Sequence, residues 1–187
     1  RSTIDTDFAL DLLKKEKYDH IIGVDGALKF CKEQNIVPTR IVGDFDTLDP
    51  EILTWYQTNT QIEIRQFNPV KDATDTQIAI ELAMELGSRK ITLVGGTGTR
   101  LVLGNIQTLY LPFTKGIDCR IVDAHNRIRL VSGELHLKMT EQWGKYVSLI
   151  PFTTDVEGVD LIGFKYPLEK FNFTVLGTGS RGVSNEI

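Results

Sequence analysis

From Asp7 to Asp123 the apolar residues switch repeatedly between two spacings: the three-and-four repeat of a helix and the short unbroken run of a buried strand. The first predicts helices over Phe8–Lys15, Ala27–Gln34, Ile52–Gln57 and about Asn105–Leu111. The second predicts strands at Ile21–Val24, Arg40–Val42, Ile62–Phe67, Ile91–Val94 and Cys119–Val122. Local signals sharpen several ends. Asp49 before Pro50 is a helix cap with proline at the first helical position. Thr74-Asp75-Thr76-Gln77 reads as a capping box, after which Ile78, Leu82 and Leu86 recur at helical spacing until Gly87 stops the helix. Pro112 is expected to break the helix that begins near Asn105.

Strands alternating with helices imply a parallel sheet covered on both faces. After Asn126 the pattern changes to β-rich runs, Ile128–Val131, Glu134–Met139, Tyr146–Phe152, Val159–Phe164 and Phe171–Leu176, separated by Ser132-Gly133, Glu157-Gly158 and Gly177-Thr178-Gly179. No helical period appears there, so a small antiparallel sandwich or partial barrel is expected. The fold class is therefore α/β: a parallel-sheet, Rossmann-like N-terminal domain over residues 1–124, then an antiparallel β-sandwich over residues 125–187.

Composition narrows the function classes. The 187 residues are 41% hydrophobic and 25% charged, which is ordinary for a globular chain able to bury a core. A formal charge of −4 argues against a general nucleic-acid binder. No apolar run approaches the roughly 20 residues of a membrane span, and the first residues show no secretion signal, so no membrane partner and a cytoplasmic location are expected. Cys31 and Cys119 are far apart and lack metal-ligand spacing, which favours reduced buried thiols over a disulfide.

The chemistry is concentrated where strands end. Asp25 follows Ile21-Ile22-Gly23-Val24, Gly43-Asp44-Phe45-Asp46-Thr47 follows Arg40-Ile41-Val42, Lys71-Asp72-Ala73-Thr74-Asp75 follows Ile62–Phe67, and Gly95-Gly96-Thr97-Gly98-Thr99-Arg100 follows Ile91–Val94. In an open parallel sheet the ligand crevice lies beyond the carboxyl ends of the strands, where these clusters would converge. Carboxylates at i and i+2 repel unless a cation lies between them. Oxygen donors without cysteine or histidine suit Mg²⁺ rather than zinc. A glycine-rich turn opening a helix adds amides that can cradle phosphate. Metal plus phosphate points to a nucleotide.

Each signal has an ordinary alternative. Asp44 and Asp46 could cap a turn. Asp72 and Asp75 could simply favour the helix N-terminus, worth roughly 0.3–1 kcal/mol. Lys71 could neutralise a phosphate or pair with a neighbouring Asp. The glycine turn could serve packing, Arg100 could be a surface charge, and Ser184 and Asn185 could be polar loop residues.

Five ordered motifs discriminate further: Gly43–Thr47, Lys71–Asp75, Gly95–Arg100, Ser148-Leu149-Ile150-Pro151 and Arg181–Glu186. Together they resemble bacterial thiamine pyrophosphokinase over nearly the whole chain. The resemblance implies an α/β domain joined to a β-sandwich, a homodimer, and pyrophosphoryl transfer from ATP to thiamine, giving thiamine diphosphate and AMP. It implies that Asp44, Asp46 and Asp75 hold Mg²⁺, with Asp25 and Asp72 nearby in the acidic site. Phosphoryl chemistry needs little base help, and Asp72 is the candidate acceptor of the hydroxyl proton. Thr47 stands where the family usually has serine. Lys71, Thr97, Gly98, Arg100 and Asn105 would serve the nucleotide, and Ser184 and Asn185 the thiamine pyrimidine. The sequence departs from the family pattern in lacking an arginine after Asp25 and an Asp-His pair after Leu101. Two rival functions are carried alongside: another Mg²⁺-dependent phosphotransferase or hydrolase on the same carboxylates, and a non-catalytic thiamine or nucleotide sensor.

Overall fold

The computed structural model describes residues 4–68, 73–98, 101–175 and 185–187 and divides into two compact units, residues 1–131 and 132–187. In the first unit the order is α1 (Thr6–Lys15), β1 (Ile22–Val24), α2 (Ala27–Glu33), β2 (Arg40–Gly43), α3 (Pro50–Asn59), β3 (Glu63–Gln66), α4 (Asp75–Glu85), β4 (Lys90–Val94), α5 (Val102–Thr108), α6 (Tyr110–Thr114), β5 (Asp118–Val122) and β6 (Arg127–Arg129). Strands β1-β2-β3 form one parallel sheet; β4 and β5 pair in parallel, and β6 returns antiparallel along β5.

Side-chain alternation sets the layers. Ile41 faces Leu28, Phe45, Leu48, Ile52 and Tyr56 on the α2/α3 side, whereas Val42 packs on Ala79 and Leu82 of α4. A strand buried on both faces reads as an unbroken apolar run, which is why β2 was legible. The next residues of α4, Ile80 and Ala83, pack with Ile91, Leu109, Cys119 and Ile121, so one helix braces both sheets. The edges of β1 and β4 line a largely apolar cavity of about 230 Å³ together with Leu12, Leu13 and Ala79.

The caps follow the chemistry. Asp5 accepts from Phe8 N, Asp49 from Glu51 N, and Thr74 Oγ1 from Gln77 N. Gln77 Nε2 donates to Glu81 Oε1 one turn on. Pro112 does not break a helix: α5 has ended before Leu109, and Pro112 sits buried in the first turn of α6, where its missing N–H costs nothing.

In the second unit β7 (Tyr146–Val147) pairs antiparallel with β10 (Asn185–Glu186), and β8 (Val156–Leu161) with β9 (Leu168–Phe173), around a core of Leu161, Leu168 and Phe173. Three expectations need correction. The division falls after Val131 rather than after residue 124, because β6 hydrogen-bonds to β5 and so extends the first unit. Glu134–Met139 forms no strand; a short 3₁₀ turn at Met139–Glu141 ends it. Both long strands begin three residues earlier than their apolar runs imply, since their ladder carries register shifts that interrupt the alternation.

Candidate active site

Three carboxylates meet beyond the ends of β1 and β2. Asp25, Asp44 and Asp46 each offer an oxygen within 4.8 Å of the other two. The backbone builds this cluster in two steps. Asp25 takes a positive φ of 41° immediately after β1 while its N–H donates to Val42 O at 2.9 Å, turning the chain back across the end of β2. Phe45, at φ 61°, drops its ring into the α2/α3 core and leaves Asp44 and Asp46 on either side of it. Gly43 allows the close approach: a Cβ there would lie 2.9 Å from the Phe45 ring and 3.2 Å from Asp25 Cα.

The cluster is electrostatically unbalanced. Partial desolvation, then the neighbouring carboxylates of Asp44, Asp25 and Asp75, push the Asp46 carboxyl above its ordinary range. Asp75 therefore acts on the cluster from the first turn of α4. Thr47 Oγ1 donates to Asp25 Oδ2 at 3.0 Å, and Asp46 N donates to Asp44 Oδ1 at 3.2 Å. The other Asp25 oxygen, Oδ1, is buried and accepts no hydrogen bond from the described residues. A buried carboxylate oxygen without a donor costs about 1–3 kcal/mol, and a cation among the three side chains offsets that cost. The donor set fits a hard divalent ion.

The glycine turn after β4 is held from two sides. Asn105, buried on α5, donates from Nδ2 to Gly96 O at 2.9 Å, and Gly95 supplies the positive φ of 88°. Thr97 donates its hydroxyl to Asp123 Oδ2. Burial raises the Asp123 carboxyl, but donors from Thr97, His125 and Asn126 outweigh it and hold the group below its ordinary range. Gly98 is exposed.

Of the residues read from sequence, Asp25, Asp44, Asp46 and Thr47 are brought together, with Asp75 close enough to act on Asp46. Thr97 and Gly98 belong to the glycine turn, and Asn105 on α5 holds it through Gly96 O. Asn185 lies in the second unit, where its Nδ2 donates to Tyr166 O at 2.8 Å and its Oδ1 accepts from Tyr166 N at 3.1 Å. Lys71, Asp72, Arg100 and Ser184 lie outside the described residues. Asp123 was missed by the sequence reading, although Asp123-x-x-Asn126 directly after a strand is the spacing of a side chain that folds back on its own turn.

Comparison with known proteins identifies relatives over both units. Residues 5–121 match the family described as thiamin pyrophosphokinase, catalytic domain, and residues 133–187 match thiamin pyrophosphokinase, vitamin B1 binding domain. The thiamine pyrophosphokinase of Bacillus subtilis (strain 168) is 33% identical over 174 residues, spanning 89% of this chain and 77% of the relative. Among solved structures, the Bacillus subtilis thiamine pyrophosphokinase is 31% identical with a TM-score of 0.77, over 94% of this chain and 82% of that one. The Geobacillus thermodenitrificans thiamin pyrophosphokinase is 32% identical with a TM-score of 0.78, over 94% and 81%.

Proposed function

This chain belongs to the thiamin pyrophosphokinase family, and from that premise we propose how its residues divide the work. It is an enzyme whose reaction moves the pyrophosphoryl group of ATP to thiamine. The thiamine hydroxyl oxygen forms a bond to the β-phosphorus, the bond from that phosphorus to the oxygen shared with the α-phosphate breaks, AMP leaves with the electron pair, and the hydroxyl proton passes to a base.

Asp25, Asp44, Asp46 and Asp75 hold Mg²⁺ in our reading. The observation that carries this is the meeting of three carboxylates, one Asp25 oxygen being buried without a donor among the described residues. Bound Mg²⁺ supplies charge neutralisation of the polyphosphate. Thr47 steers one Asp25 oxygen through its hydroxyl, leaving the other for the ion. The glycine turn, with Thr97 and Gly98 and held by Asn105, presents backbone donors to the phosphates. The motif matches support Lys71 and Arg100 beside the phosphates, Asp72 as proton acceptor, and Ser184 and Asn185 at the pyrimidine. An acidic site also suits a substrate with a permanently positive thiazolium ring.

A homodimer with a site shared between subunits follows from the same resemblance. No helix among the described residues is long and apolar enough to cross a membrane. The two free, buried cysteines suit a reducing compartment, and we place the enzyme in the cytoplasm. Calorimetric titration with Mg²⁺ in the presence of ATP tests the metal assignment: Asp25→Asn should bind the ion at least about tenfold more weakly while the far-UV circular dichroism is retained. Parent-like Mg²⁺ affinity in Asp25→Asn would remove it from the ligand set.

A further inference from the structure

We propose that Asp123 is a positioning residue for the nucleotide, acting through Thr97 to lock the glycine-rich turn in the form that receives the polyphosphate. The inference rests on the ATP-using reading above and adds a residue to it. Register supplies the juxtaposition: β4 and β5 run parallel with Val94 opposite Val122, so Gly95 and Asp123 leave their strands side by side. From there the two oxygens of Asp123 do different things. Oδ1 accepts from the backbone N–H groups of His125 and Asn126, both at 2.7 Å, and from Asn126 Nδ2 at 3.1 Å, which closes the β5–β6 turn. Oδ2 accepts the Thr97 hydroxyl, and also Asn126 Nδ2 at 3.2 Å.

The hairpin's two backbone donors go to the first oxygen. The second reaches across to another loop, 26 residues away in sequence. Asn105 grips the preceding residue of that loop through Gly96 O, so consecutive residues of the turn are tied to two different elements. Glycines otherwise leave such a turn many conformations, and fixing them before binding removes part of the ordering cost that the nucleotide would carry. A carboxylate does both jobs as an acceptor, whereas Asn keeps one acceptor oxygen and would have to reverse the hydrogen bond by donating Nδ2 to the Thr97 hydroxyl.

Thr97→Val separates this role from hairpin closure, since it removes the hydroxyl, keeps the side-chain shape and leaves the Oδ1 contacts intact. Equilibrium titration with MgATP, without thiamine, and steady-state kinetics are measured on the full chain. Thr97→Val and Asp123→Asn should each weaken MgATP binding and raise KM for ATP about 10- to 100-fold, the range for loss of a partner that orients a ligand-binding group. KM for thiamine should change little. Thr97→Ser should restore the affinity, and the double variant should be no weaker than the worse single one. A Thr97→Val chain with parent-like MgATP affinity, or losses that multiply in the double variant, would overturn the proposal. A parent that binds MgATP and shows this pattern yet forms no thiamine diphosphate would refute the reaction but support the positioning role. A parent that binds no MgATP would refute both.

Discussion

Replacing Glu16 tests how the first unit is braced behind its site. Arg120 on β5 has a side chain only 10% exposed, and its guanidinium donates to both carboxylate oxygens of Glu16, at 2.7 and 2.8 Å, and to Thr92 Oγ1 at 3.1 Å. Lys90 Nζ adds a contact to Glu16 at 3.2 Å, so the end of α1 is tied to β4 and β5 at once. In Glu16→Ala both charge-assisted bonds from Arg120 are lost. Stripping one partner from a fully buried pair costs about 3–5 kcal/mol, but the Glu16 side chain is 29% exposed and water can reach the gap, which places the loss at about 2–3 kcal/mol. Glu16→Gln keeps one acceptor and should cost about 1–2 kcal/mol. The sign with pH is fixed by the carboxyl: burial raises it, but Arg120 and Lys90 outweigh burial and hold it below its ordinary 4.5. Its stabilisation is therefore complete above pH 4.5 and is lost as the pH falls through the depressed folded-state value, where the gap between parent and Glu16→Gln should close. Urea unfolding followed by Trp55 fluorescence in a Trp143→Phe background reports the first unit alone. A Glu16→Ala chain within about 0.5 kcal/mol of the parent at neutral pH, the scatter of ordinary surface changes, would refute the reasoning. So would a Glu16→Gln gap that persists in acid.

Other expectations follow from single distances. Gly43→Ala should lower Mg²⁺ affinity and turnover, because its Cβ would press on Asp25 Cα from 3.2 Å; unchanged metal binding would show that the β1 and β2 ends can relax. Asp44→Asn and Asp46→Asn should each cut turnover without unfolding the chain, and near-normal activity with parent-like Mg²⁺ dependence in both would remove the pair from the site. An inactive Asp44→Asn chain mixed with an inactive Asn185→Ala chain should regain partial activity if subunits exchange and share a site; light scattering that shows only monomer, or exchange without recovery, would require a site within one chain. Burial pushes Cys31 up to about 11 and Cys119 up to about 12, so both should resist a thiol reagent at neutral pH until urea unfolds the chain, and rapid labelling of the native protein would contradict their burial.

Much of the first unit was legible because its strands are short apolar runs and its helices carry their own caps. The acidic cluster was legible because Asp25, Asp44 and Asp46 each fall just after such a run. What sequence could not display was the conformation that joins them: two non-glycine residues, Asp25 and Phe45, at positive φ, and a glycine between strand and cluster whose missing side chain makes room. Asp123 was illegible for a related reason. A lone aspartate after a strand looks like any turn residue until strand register sets it beside Thr97. The β-rich unit was read less well. Its alternation is broken by register shifts between β8 and β9, and Leu135 and Met139 are exposed instead of facing a core, so apolar spacing overstated the extent of strand.

The account stands most directly on the nucleotide product. Incubating the full chain with ATP, thiamine and Mg²⁺ and separating products by chromatography should show AMP and thiamine diphosphate rising in equal amounts, neither forming when Mg²⁺ or thiamine is left out. ADP as the sole nucleotide product, or ATP consumption indifferent to thiamine, would contradict it.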